Sequence, residues 1–67
     1  MNKEFFEKIN EMIRTKKYDE EVVEKLLNII VVSKILADRE SNEEVKKILS
    51  CICIVGESLA QKLYKLK

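Results

Sequence analysis

A chain of 67 residues with 46% apolar and 37% charged residues, one glycine and no proline has the composition of one compact helical domain, not of a disordered segment. Its net charge of +1 falls short of the strong positive potential expected of a dedicated nucleic-acid binder or polybasic membrane binder. A domain of this size buries only about 60% of its unfolded surface, so association with another chain is a natural source of stability.

The first predicted helix covers residues 3–17, where apolar side chains recur at helical spacing. They form one narrow stripe: Phe5, Phe6, Ile9, Met12 and Ile13. The basic residues that follow suit the negative end of a helix dipole. Asp19 is the predicted N-cap of a second helix over residues 20–39.

A third helix is predicted over residues 42–66. Ser41-Asn42-Glu43-Glu44 matches the capping-box pattern, with Ser41 as the N-cap. Apolar residues then recur in steps of four and three, which is typical of near-parallel helix packing: Val45, Leu49, Ile52, Gly56, Leu59, Leu63 and Leu66. Gly56 is expected to let a neighbouring helix approach closely.

The polar break at residues 38–42 predicts that helices 2 and 3 fold into a long hairpin. The acidic start of helix 2 then lies between the basic ends of helices 1 and 3, which favours up-down-up order. The sequence therefore predicts a single all-α domain over residues 1–67, with three helices in that order.

Helices 2 and 3 carry more apolar residues than one hairpin core needs. The predicted main face of helix 3 is Val45, Ile48, Leu49, Ile52, Val55, Leu59 and Leu63. That of helix 2 is Val22, Val23, Leu26, Ile29, Ile30, Leu36 and Ala37. The remaining apolar residues of both helices are expected to form one exposed patch, which usually marks an interface.

This surplus predicts a homodimer with an antiparallel four-helix core, because a two-fold axis buries the same patch on both chains. The predicted interface residues are Phe5, Val31, Val32, Ile35, Cys51 and Ile54. Whether helix 1 packs within its own chain or across the dimer stays open. The alternative is a monomeric three-helix bundle with a few surface valines.

The residue types of the chain do not suggest a catalytic site or a metal-binding site. The chain has no histidine, so a Ser-His or Cys-His dyad is excluded. Cys51 and Cys53 are two residues apart and point about 200° apart on a helix, so they do not ligate one ion together. We expect no enzyme activity, no cofactor and no metal site.

The predicted function is protein–protein interaction, as a small adaptor, inhibitor, immunity or regulatory protein that binds itself and an unidentified protein partner. The alternative is a nucleic-acid-binding regulator that uses basic residues at one end of the bundle: Arg14, Lys16, Lys17, Lys62, Lys65 and Lys67.

The apolar segments are too short to span a membrane and the first residues do not resemble a signal peptide, so we expect a cytoplasmic protein. The Lys and Glu bias is typical of hyperthermophile proteins and of AT-rich genomes, and a viral origin also fits.

Overall fold

The computed structural model describes residues 3–67, and within that range the chain forms three helices and no strand. Helix α1 covers Lys3–Thr15, α2 covers Glu20–Arg39 and α3 covers Glu43–Tyr64. The helices α2 and α3 pack against each other as a long hairpin. The prediction of an all-helical fold built on this hairpin is confirmed.

The end of α1 and the start of α2 are each explained by one residue at the boundary. Helix α1 ends at Thr15, two residues before the predicted end, because Lys16 has a positive φ of 58° that a helix does not continue through. Asp19 caps α2 as predicted, since its side chain accepts a hydrogen bond from the backbone N–H of Glu21 at 3.1 Å.

The N-cap of α3 is Asn42, and the prediction of Ser41 was wrong. The Asn42 side chain accepts hydrogen bonds from the backbone N–H groups of Glu44 at 3.0 Å and Val45 at 3.2 Å. The backbone N–H of Asn42 donates to Oε1 of Glu40 at 3.0 Å. A carboxylate from the preceding turn therefore satisfies the N-cap backbone N–H, which in a capping box bonds to the N3 side chain, because N3 is here Val45 and has no acceptor.

The contact between α2 and α3 is built on small residues of α3. Three of the four buried residues of α3 are small, Cys53, Gly56 and Ala60, and the fourth is Leu63; the buried residues of α2 include Leu26, Ile30, Ser33 and Ala37. A Cβ placed on Gly56 would lie 2.7 Å from Cγ1 of Ile30, so the two helices approach closely at this level. The buried thiol of Cys53 donates a hydrogen bond to the carbonyl oxygen of Ile30 at 3.6 Å.

Helix α1 packs within its own chain, at the base of the hairpin where α2 begins and α3 ends. Its buried residues Ile9 and Met12 join one cluster with residues of both other helices. The other members are Val22, Val23, Leu26, Ile30, Ala60 and Leu63, with Phe5, Tyr18, Leu27, Leu59 and Leu66 packed around them. The upper part of the hairpin, towards the turn at residues 40–42, lies beyond this cluster.

The buried face of α3 differs from the predicted one. Four of the residues assigned to that face are exposed in the single chain: Val45, Ile48, Ile52 and Val55. On α2, Ile29 and Leu36 are exposed as well. The physical reason is the close approach at Gly56, which rotates α3 so that Cys53, Gly56 and Ala60, together with Leu63 at the base, face α2.

Candidate interaction surface

Each helix of the hairpin exposes a stripe of aliphatic side chains. On α3 the stripe is Val45, Ile48, Ile52 and Val55, and on α2 it is Ile29, Val32 and Leu36. Successive members are three or four residues apart, which keeps a stripe on one side of its helix. We call these seven residues together the open face.

The two stripes lie on the same side of the hairpin, and the ion pair between Lys34 and Glu57 fixes this. The Nζ of Lys34 lies 2.9 Å from Oε1 of Glu57. The reference is the mean direction of the buried residues of α2 around the helix axis. At about 100° per residue, Lys34 lies about 70° to one side of that direction, whereas Ile29 lies about 70° to the other side. Glu57 and Ile52 have the same relation on α3. Because the ion pair joins the helices on one side, both stripes lie on the opposite side.

The open face is aliphatic in its middle and charged at its edges. Its seven side chains are between 39% and 66% exposed, which is high for valine, leucine and isoleucine. Helical periodicity places Arg39 at the outer edge of the α2 stripe and Glu44 at the outer edge of the α3 stripe. An apolar centre with a polar rim is the usual layout of a protein–protein interface.

The interface residues predicted from the sequence do not form one patch. Val32 belongs to the open face. Val31 and Ile35 are exposed on the outer side of α2, and Cys51 and Ile54 are exposed on the outer side of α3. Phe5 is half-buried on α1, with its ring centroid 6.0 Å from that of Phe6.

The remaining six members of the open face were assigned to the buried side of the hairpin by sequence reasoning. The signal that could have found them is the seam of small residues on α3. Cys53, Gly56 and Ala60 share one side of the helix, and that side allows the closest approach of a neighbouring helix. With this seam turned inwards, the aliphatic stripe has to face outwards.

The basic residues of the predicted nucleic-acid site are all exposed, at the base of the fold. Arg14 is engaged with Glu11 through a 2.6 Å contact, and this hydrogen bond raises the pKa of Arg14. Lys16 and Lys17 lie in the connection between α1 and α2, and Lys62 and Lys65 lie at the end of α3.

A pair of tyrosines lies at the same end. The rings of Tyr18 and Tyr64 stack with centroids 6.2 Å apart, and Nζ of Lys67 lies 5.5 Å from the centroid of Tyr18. Asp19 and Glu20 begin α2 beside this group, so acidic and basic side chains share the base of the fold.

The part of the chain described by the structure contains no group of three His, Cys, Asp or Glu residues able to hold a metal ion. Cys51 is exposed, Cys53 is buried, and both are free thiols. None of the helices in residues 3–67 has the length and apolar character needed to cross a membrane.

Comparison with known proteins gives no assignment. No known family model, curated protein or solved structure matches this chain. The functional proposal therefore depends on the surface of the chain itself.

Proposed function

We propose that this chain is a small helical protein–protein interaction module that acts as a homodimer through the open face. The observation that carries the proposal is the run of seven exposed aliphatic side chains on one side of the hairpin. Exposed contiguous apolar surface of this extent costs free energy in water, and burial against a partner recovers it.

The size of the open face suits a second copy of the chain. Its exposed side chains amount to roughly 600 Å² per copy, so pairing through a two-fold axis would bury about 1,200 Å² in total, the lower end of stable interfaces. The spacing of both stripes is that of helices that pack side by side. Two hairpins joined in this way form a four-helix core, with α1 at the outer ends.

Light scattering at low micromolar concentration tests the proposal. We expect a mass twice that of the 7.9 kDa chain. A mass equal to that of one chain would contradict the homodimer. In that case the fold would be a monomeric three-helix bundle with an apolar surface.

A second candidate function is nucleic-acid binding at the base of the fold. The stacked pair of Tyr18 and Tyr64, with Lys67 against Tyr18, favours it, because aromatic rings and cations together bind bases and phosphates. Asp19 and Glu20 at the same end count against it.

Binding of mixed DNA and RNA across a salt series tests this second candidate. A steep loss of affinity as salt rises would support it, because phosphate contacts release counterions. Tyr64→Ala should then weaken binding about tenfold, since each stacked base contributes roughly 1–3 kcal/mol. An absence of binding at low salt would eliminate it.

A further inference from the structure

The charges along α3 differ between its two ends. Glu43 and Glu44 lie in its first turn, whereas Lys62 lies in its last turn and Lys65 follows. Glu44 and Lys62 are 18 residues apart, which is five full helical turns at 3.6 residues per turn. Five full turns bring both residues to the same edge of α3, next to the aliphatic stripe, and both are exposed.

We propose that the two copies pair with their hairpins antiparallel, α3 against the α3 of the second copy, about a two-fold axis near Ile52. This inference rests on the proposed homodimer and adds its orientation. In this arrangement Glu44 of one copy lies beside Lys62 of the other, twice over because of the symmetry. A parallel arrangement instead puts both Glu44 residues at one end of the interface and both Lys62 residues at the other, so no Glu44 lies near a Lys62.

Two further properties of α3 favour the antiparallel arrangement. Helix dipoles attract when neighbouring helices run in opposite directions and repel when they run in the same direction. The stripe from Val45 to Val55 has no charged member, so the charges at its ends select the orientation without any cost of burial. The second copy thus supplies both the apolar cover and the opposite charge for the open face.

The distance between two nitroxide labels distinguishes the orientations. A label at Ser41→Cys, in a chain that also carries Cys51→Ser and Cys53→Ala, marks the turn of each hairpin. Ser41 lies 11 residues from the axis at Ile52, which is about 16.5 Å at 1.5 Å per residue, so in the antiparallel dimer the two labels are about 33 Å apart along the helix direction. In a parallel dimer the two turns are adjacent, with labels within about 20 Å.

Charge reversal provides a second measurement on the chain with its native cysteines. Glu44→Lys should weaken dimerisation about five- to tenfold at low salt, and adding Lys62→Glu should restore it. Glu43→Lys makes the same charge change on the other edge of α3, away from the open face, and should have little effect.

Three results would count against the inference in different ways. A dimer with labels within 20 Å would overturn the orientation alone. Failure of Lys62→Glu to restore the Glu44→Lys variant would also overturn it, because the charges then do not meet. A monomer by light scattering in the native chain would overturn the proposed function and this inference with it.

Discussion

The start of α3 depends on one side chain, Asn42, although its neighbour Ser41 is an equally suitable residue type. Asn and Ser are comparable N-caps, so the sequence pattern alone does not choose between adjacent positions. The short turn at residues 40–42 decides that Asn42, and not Ser41, is the N-cap. Glu40 lies in extended backbone and its carboxylate accepts the N–H of Asn42, which places the Asn42 side chain over the first turn.

Removal of the Asn42 side chain should therefore destabilise the fold. Asn42→Ala leaves the backbone N–H groups of Glu44 and Val45 without their partner, and we expect a loss of about 1 kcal/mol in the free energy of unfolding. Ser41→Ala is the matched control and should change it by less than about 0.5 kcal/mol. Urea unfolding followed by circular dichroism measures both. An equal loss for the two variants would mean that Ser41 shares the capping role.

At the scale of the helices, sequence reasoning located the three elements and most of the buried face of α2. It failed on the rotation of α3. Large apolar residues cover more than half of the circumference of this helix, so periodicity alone gives no single inner side. The small seam that includes Gly56 and Ala60 decides the rotation, because the tight fit of Gly56 against Ile30 requires a partner helix at close range. Such a fit is a property of two helices together, which a pattern along one helix does not contain.

The close approach predicts the effect of a single methyl group at Gly56. In an open helix Gly56→Ala would stabilise by about 1 kcal/mol through helix propensity. Here the new Cβ meets Ile30 at 2.7 Å, and overpacking of this kind costs about 1–3 kcal/mol, so we expect a net loss of roughly 1 kcal/mol and a Tm lower by about 4–8 °C.

Ser58→Ala serves as the control for Gly56→Ala, since Ser58 is exposed on the same helix and should not lower the Tm. Combining Gly56→Ala with Ile30→Ala should cost less than the sum of the two single changes, because the second removes the atoms that clash. Additive losses would show that Gly56 and Ile30 do not limit the approach of the helices.

For the whole molecule, the consequence of this rotation is a division of the hairpin into a base and an upper part. At the base, α1 supplies Ile9 and Met12 and completes a closed core. In the upper part nothing within residues 3–67 covers the open face, so its aliphatic residues stay in contact with water. A small domain whose own core is marginal gains stability when a second copy buries such a face.

Two neighbouring valines on α2 lie on different surfaces of the helix: Val32 is on the open face and Val31 is on the outer side. Val32 is 53% exposed and Val31 is 54% exposed, so they differ in direction and not in burial. In the proposed dimer Val32→Glu places a charge in an apolar interface in both copies, and we expect dimerisation to weaken at least about 100-fold. Val31→Glu adds the same charge at a position in contact with water and should leave the dimer intact. Light scattering measures the mass of each variant, and circular dichroism verifies that both remain helical. If Val31→Glu dissociates the dimer and Val32→Glu does not, the interface lies on the outer side of α2, with Val31 and Ile35.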